Sequence, residues 1–588
     1  MKPTFAPTLL LLTALAPAGL PAQDDTILRA MKDELDRSRA LRIVDLDPPY
    51  FIEYSMEDAD SYSVSASLGG LLGASRRPVR ALDVRVRVGS YDFDNTNYVL
   101  SGFRAGGGGE DTPVPMDNSY LALRQSLWLE TDSAFKTAEE ALGRKRSALK
   151  NINVPEQLPD YSKAPAVQSV LPLKRHPIDD EAWKTRVVKL SEIFSDFPQI
   201  VSSVVDFEAL DSTTYMSNSE GSVLREPDNL AYLRVRAWAQ AEDGMSLRNS
   251  DVIPAPGATD LPGEAEMRQR VTRVATDLAA LTHAPQGDVY SGPVLFEPLA
   301  AAQLVAQVLG DNLKITRRPV PQPGRTAPYI GSELEAKIGS RIFPDWIDIV
   351  DDPTQSIYHG RALSGSYLHD DEGVRAEPIA LVEKGVLKNF LLTRTPALKN
   401  FLVSNGRGRL HGNYGATAPS FGNLFVHAGK SVSPAELKQQ LIQLCKDRNK
   451  PYGLLIRKLD FPSSASFDEL RRLFSSISQS GDGARPVSLP LLVYRVYPDG
   501  REELVRGLRF HGLTTRAFKD IAAASNDEQV FSFLDNTFPF ALMGAGGYIS
   551  PSSIIAPGLL FEDVDLERTT DQLPKLPIVP PPSLEPAR

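Results

Sequence analysis

The chain has 588 residues, 42% hydrophobic and 23% charged, an ordinary globular composition that excludes wholesale disorder. A formal net charge of −10, spread along the chain, leaves no basic excess to neutralise phosphates and excludes a general nucleic-acid binder. One cysteine, Cys445, excludes an intrachain disulfide and a thiolate zinc cluster, and only seven histidines are available: His176, His283, His359, His369, His411, His427 and His511.

The first segment reads as an address. Met1-Lys2-Pro3, the apolar stretch Leu9 to Ala16, and Ala22 before Gln23-Asp24-Asp25 have the pattern of a secretory signal peptide cleaved after Ala22 or Ala18. The apolar run is shorter than the roughly 20 residues a bilayer span needs. The expectation is an exported protein, periplasmic or secreted, with no membrane span.

Apolar residues at helical spacing predict helices over 24–40, 119–150, 181–198 and 264–282. Strand-like segments fall at 50–55 and at Ala81 to Gly89, where alternation is very regular. Gly106 to Gly109 is a loop without the flanking strand and helix of a phosphate cradle. Prolines from Pro155 to Pro177 form a connector. Beyond 199 an antiparallel meander is predicted, with a turn at Asn218-Ser219-Glu220-Gly221 where Gly221 permits positive φ. The boundaries drawn are a signal peptide at 1–22, an N-terminal α/β region at 23–117, a central helical and meander region at 118–285, a C-terminal domain at 286–562 and a Pro-rich tail at 563–588.

No G-x-S-x-G elbow and no H-E-x-x-H helix occur. Ser133-Ala134-Phe135-Lys136 satisfies S-x-x-K, but inside the long helix and without companion motifs. Cys445 sits at apolar helical spacing in Leu437 to Lys446, which reads as a core position rather than a nucleophile. His359 and His369 straddle a predicted hairpin and could approach one ion with Asp370, Asp371 or Glu372; ordinary turn polarity is the alternative. The residues taken by themselves identify no catalytic centre.

An ordered series of short segments resembles the TldD/PmbA family. Ser291 to Leu309 is similar to the opening of that family's C-terminal domain, and Gly339-Ser340-Arg341-Ile342 with Ile349-Val350-Asp351-Asp352-Pro353 to its next stretch. His369-Asp370-Asp371-Glu372-Gly373-Val374 resembles its D-D-E-G turn, Val382 to Leu391 its following hairpin, and Ser404-Asn405-Gly406-Arg407 its strand end. Asn423-Leu424, Tyr497-Pro498-Asp499-Gly500 and Ser553 to Phe561 continue the order.

The resemblance implies an α+β fold: an N-terminal α/β lobe with helices on a mixed sheet, then a β-rich, barrel-like C-terminal lobe. The family's catalytic branch is a zinc peptidase whose H-E-x-x-x-H helix follows the opening strand, with a C-terminal cysteine completing the site. This chain departs there. Its helix from Ala300 to Leu309 offers Gln303 and Gln307, and Ala541 to Tyr548 has no cysteine. The resemblance therefore implies the PmbA-like branch, without metal or cofactor of its own. Its partner would be a zinc-bearing TldD-like subunit or a second copy, and its substrates unfolded peptides. Asp371, Glu372, Gly373, Asn405 and Gly406 are the candidates for lining the peptide path. A stand-alone binding or structural protein that kept the fold is the alternative.

Overall fold

The computed structural model describes residues 25–40, 47–99, 114–152, 157–173, 175–324, 329, 331–412, 416–461, 485, 487–536 and 549–569. The leader, the glycine run, the Ala541 to Tyr548 stretch and the tail beyond 569 lie outside the described residues.

The N-terminal half is one sheet with helices on a face. Its helices are α1 (Thr26–Arg39), α2 (Tyr120–Leu149), α3 (Asp180–Glu192) and α4 (Glu264–His283). The α1 start is fixed by Asp25, whose Oδ1 accepts from the backbone N–H groups of Ile27 and Leu28. The strands are β1 (Pro49–Ser67), β2 (Gly70–Val88), β3 (Gln168–Val170), β4 (Ile200–Asn218), β5 (Val223–Pro227), β6 (Leu230–Gln240) and β7 (Ser246–Ala255). They pair in the order β2-β1-β4-β5-β3, with β6 also on β4 and β7 outside β6. Every pairing is antiparallel except the short β3–β5 pair.

Alternation along β1 sorts its two faces. Ile52, Tyr54 and Met56 join α1 and α2 in one cluster, while Tyr62, Val64 and Ala66 join α3 and α4 in another. Phe51 and Glu53 face the opposite way, toward the C-terminal half. The β1–β2 hairpin turns on Leu68 (φ 50°) and Gly69 (φ 79°), the left-handed pair of a type I′ turn. Its solvated outer part is laced by Arg80–Asp58 at 2.8 Å and Arg76–Asp60 at 2.5 Å. A register shift at Ser65–Ala66, with Arg76, Arg77 and Pro78 on the edge strand, discourages further pairing there.

The C-terminal half contains β8 (Tyr290–Phe296), β9 (Ile347–Asp351), β10 (Ile357–Tyr358), β11 (Arg361–Ala362), β12 (Ile379–Glu383), β13 (Val386–Leu387), β14 (Gly408–His411), β15 (Thr417–Pro419) and β16 (Asn423–Ala428). After these come β17 (Gly453–Leu459), β18 (Pro490–Val496), β19 (Glu502–Val505), β20 (Leu508–Phe510), β21 (Ile521–Asp535) and β22 (Ser550–Arg568). Among the described residues eleven of them form one sheet in the order β13-β12-β9-β16-β22-β8-β17-β18-β19, with β20 and β21 also on β22. β16–β22 and β8–β17 are parallel. The path has two free ends, and no pairing closes it into a barrel among the described residues. Against the sheet pack α5 (Pro298–Leu304), a π-helical turn (Val305–Gly310), α6 (Asp311–Leu313) and α7 (Pro434–Asp447). A reciprocal capping box between Ser433 and Glu436 starts α7. Cys445 is buried in the apolar cluster under α7, and burial pushes its thiol up to about 11. No described helix is long and apolar enough to cross a membrane.

Candidate functional site

The helix after β8 is buried on all sides from Ala300 to Leu313. Gly310 allows this depth: a Cβ there would lie 2.8 Å from the Phe421 ring. Four buried polar side chains, Gln303, Gln307, Asp311 and Asn312, interrupt the apolar surface, and the two glutamines are committed to backbone. Gln303 Nε2 donates to the Phe461 carbonyl at 2.6 Å, and its Oε1 accepts from Leu459 N–H at 2.7 Å. Gln307 Nε2 donates to the Gln303 carbonyl at 3.0 Å, and its Oε1 accepts from Ser488 N–H at 2.8 Å. Each amide thereby satisfies one donor and one acceptor, which fixes its orientation.

Gln303 and Leu299 also stand at the wall of a cleft of about 990 Å³ between the two halves. Two strand edges flank it, and they differ. β7 pairs only with β6, but side chains occupy carbonyls along its outer edge. Lys458 Nζ donates to Ser250 O at 2.6 Å, Arg270 Nη2 approaches Val252 O at 3.5 Å, and Ser364 Oγ donates to Pro254 O at 3.2 Å. Pro254 also lacks an N–H, so this edge is closed to another strand. β21 pairs with β22 on one side and lines the cleft through Gln529 to Ser532. Over Glu528–Asp535 no described strand pairs with its other edge.

A second polar assembly lies where the sheet face bearing Phe51 and Glu53 meets the C-terminal half. The turn after His369 folds on Asp370, whose Oδ1 accepts from Glu372 and Val374 N–H and whose Oδ2 accepts from Gly408 N–H. Burial, and then the Glu372 carboxylate, push Asp370 up to about 8 against the pull of the backbone donors. Asp371 is exposed and pairs with Arg409 at 2.9 Å. Glu372 is buried, with Oε2 accepting from Arg394 N–H at 2.6 Å. Gly373 (φ 72°) packs so closely that a Cβ would meet Met216 Cε at 2.3 Å. Asn405 clamps the neighbouring segment, donating to Phe390 O at 2.7 Å and accepting from Leu392 N–H at 2.9 Å. Gly406 (φ 74°) accepts from the Tyr367 hydroxyl at 2.8 Å. These five residues gather at the junction of the halves, and none lines the cleft.

Arg394 ties the junction together. Its Nε and Nη2 donate to the Ser162 carbonyl at 2.9 and 2.7 Å, Nη2 also reaches Glu220, and its guanidinium lies 4.2 Å from the centroid of Tyr161. Arg85 of β2 bridges to Thr417 of β15 at 3.1 Å. His359 and His369 occupy separate turns. His359 (φ 47°) and Gly360 (φ 78°) close the tight β10–β11 hairpin, while His369 Nδ1 lies 2.7 Å from Glu226.

Residues 290–459 match the family model described as the PmbA/TldA metallopeptidase C-terminal domain. These residues belong to the PmbA/TldD family's C-terminal domain. The chain is 28% identical over 262 residues to a metalloprotease of Methanothermobacter thermautotrophicus, covering 42% of this chain and 52% of that one. It is 32% identical over 81 residues to a metalloprotease of Methanocaldococcus jannaschii, covering 14% and 17%. The match thus spans about half the length of the first of these curated relatives and less of the second. The fold is similar to the crystal structure of TldE from Thermococcus kodakarensis, with a TM-score of 0.55 at 14% identity, covering 92% of this chain and 100% of that one. It is also similar to a Thermotoga maritima protein named as a candidate modulator of DNA gyrase, with a TM-score of 0.52 at 16% identity, covering 88% and 96%.

In this chain the zinc implied by its catalytic relatives does not fit the residues present. Both glutamines of the helix are held by backbone partners at both ends of the amide, and amides are weak zinc ligands beside imidazole and thiolate. Among the described residues no group of three or more His, Cys, Asp or Glu is placed to hold a metal ion. Sequence reasoning missed Glu53, Tyr161, Arg394 and the β21 edge. Glu53 left a signal: it shares the period-2 face of Phe51 in an otherwise apolar run.

Proposed function

We propose that this chain is a metal-free PmbA/TldD-family subunit that joins a zinc-bearing relative to form an extracytoplasmic peptidase. The observation that carries the proposal is the locked state of Gln303, at the wall of the interlobe cleft, and of Gln307 one turn on, on the helix where catalytic relatives would hold metal. The cleft supplies a surface suited to an extended, unfolded peptide. The open β21 edge offers backbone hydrogen bonds independent of side-chain sequence, and the closed β7 edge limits pairing to one side. Export rests on the leader-like N-terminal sequence.

The test combines metal analysis with reconstitution. The purified chain is expected to carry no stoichiometric zinc, and an unfolded peptide to be cleaved faster by a mixture with a zinc-bearing family member from the same organism than by that member alone. Stoichiometric zinc in this chain, or no gain on mixing, overturns the proposal. Peptide binding by the chain alone, with no complex formed, supports the stand-alone binding protein instead.

A further inference from the structure

At the junction, carboxyl groups outnumber the cations that face them. Glu53 comes from β1, Asp83 from β2, Glu220 from the β4–β5 turn, and Asp370 and Glu372 from the C-terminal turn. Arg85 and Arg394 are the guanidiniums left to them, because Arg87, Arg407 and Arg409, which also face the group, are paired with Asp94 at 2.8 Å, Asp351 at 2.5 Å and Asp371 at 2.9 Å. Tyr161 adds a neutral phenol. His411, beside Arg85, is held neutral because burial, and then Arg85, pull it down to about 4. Asn218, opposite Glu53 on β4, carries no charge.

The hydrogen bonding is incomplete at the centre of this group. Glu53 is 1% exposed; its Oε1 has only a 3.4 Å contact with Arg85, and its Oε2 has no partner. Glu372, also 1% exposed, has no partner for Oε1. Arg394 Nη1, Ser162 Oγ and Thr395 Oγ1 are likewise buried and unpartnered. A buried carboxylate with an orphaned oxygen is costly, and the cost falls when the group is held as the neutral acid. The behaviour of Glu53 follows: burial pushes it up to about 7, with the Glu372 carboxylate opposing Arg85 and Arg394.

We propose that the lobe junction is a proton-operated latch in which Glu53 holds the proton. With Glu53 neutral, Arg394 stays on the Ser162 carbonyl and Arg85 on Thr417, and the two halves are docked. Loss of the proton places an unmatched carboxylate in the seam, competes for both guanidiniums and loosens the docking. This reading does not rest on the peptidase proposal, since it needs neither metal nor partner.

Hydrogen exchange of the full chain across pH 5.5 to 8.5, corrected for intrinsic rates, tests it. Amides at 160–162 and 392–395 are expected to exchange about tenfold faster at the alkaline end, because opening of the seam is linked to the release of one proton. Glu53→Gln, a neutral mimic of the acid, is expected to remove most of that dependence. Unchanged protection across the range overturns the latch, and so does Glu53→Gln with the full wild-type dependence. If Glu53→Gln fails to fold, infrared difference spectra of the wild type and of Asp370→Asn decide. A protonated-carboxyl band that persists in Asp370→Asn at pH 5.5 and is lost by pH 8.5 supports the latch, and its absence from that variant at pH 5.5 overturns it.

Discussion

Arg407 Nε lies 2.5 Å from Asp351 Oδ2, and neither side chain has any exposure to solvent. The remaining atoms of the pair are also bonded. Arg407 Nη1 donates to Asn405 O, Nη2 to Glu377 O and Asp351 O, and Asp351 Oδ1 accepts from Gly422 N–H. One ion pair therefore fastens β9, the 405–408 turn and the start of β16. Removing one member leaves a buried charge without its counterion, so Arg407→Ala is expected to destabilise the fold by about 3–5 kcal/mol. Arg407→Lys recovers little, because an ammonium cannot reproduce the fork that reaches three carbonyls. Urea denaturation of the three proteins measures both effects; equal midpoints would show the pair to be dispensable.

Gln303 offers a sharper comparison. Alanine there orphans the Phe461 carbonyl and the Leu459 N–H, each buried, at about 1–3 kcal/mol apiece. Glutamate keeps the shape and the acceptor but loses the donor, setting a carboxylate against the Phe461 carbonyl. Gln303→Glu is therefore expected to be less stable at pH 8 than at pH 5, where the protonated acid donates again. The check is the difference in melting temperature from wild type at the two pH values, and the same difference at both contradicts the assignment.

Much of the architecture was legible because periodicity records burial. The helices α1, α2 and α4 fall within a residue or two of their predicted spans, since their apolar residues recur at helical spacing. The predicted strands cover only the base of the β1–β2 hairpin. Up to Pro78, β2 is exposed and carries no apolar alternation, while on β1 the alternation of Tyr62, Val64 and Ala66 with Ser61, Ser63 and Ser65 is a signal that sequence reasoning missed. The π-helical turn was invisible because Val305, Ala306, Val308 and Leu309 are apolar on every side, leaving no stripe to mark the change of pitch. A shared ion site for His359 and His369, the lesser alternative to ordinary turn polarity, depends on a long hairpin. His359-Gly360 instead closes its own two-residue turn, and His369 belongs to the next one. At the junction, the sequence offers Glu372 and Asn405 as turn residues and candidates for a peptide path, but their bonds to Arg394 and to 390–392 are long-range and leave no local trace.

Glu53 and Asp370 give stability a direction with pH. Both have folded values raised above the ordinary ones, from 4.5 to about 7 and from 3.8 to about 8. The folded chain thus holds protons that the unfolded chain releases, and the associated stability is complete below about pH 4. It is lost as pH rises through 7 and 8. Glu53 alone corresponds to about 3 kcal/mol. Free energies of unfolding in urea are expected to decline between pH 5 and 8.5, and Glu53→Gln to be more stable than wild type at pH 8.5. A flat wild-type profile, or a variant less stable at every pH, contradicts the assignment.

The two edges of the cleft should respond differently to an extended peptide. If a chain pairs with β21, the outward amides of Gln529 to Phe533 gain protection from exchange, because each new backbone bond must break before the hydrogen leaves. The edge of β7 has no room for the same change, since Lys458, Arg270 and Ser364 already occupy its carbonyls and Pro254 has no amide. Peptides of unrelated sequence should protect the same β21 amides, while peptides methylated on their backbone nitrogens should lose the effect. Protection confined to β7, or an equal effect of methylated peptides, would place the peptide elsewhere or assign its binding to side chains.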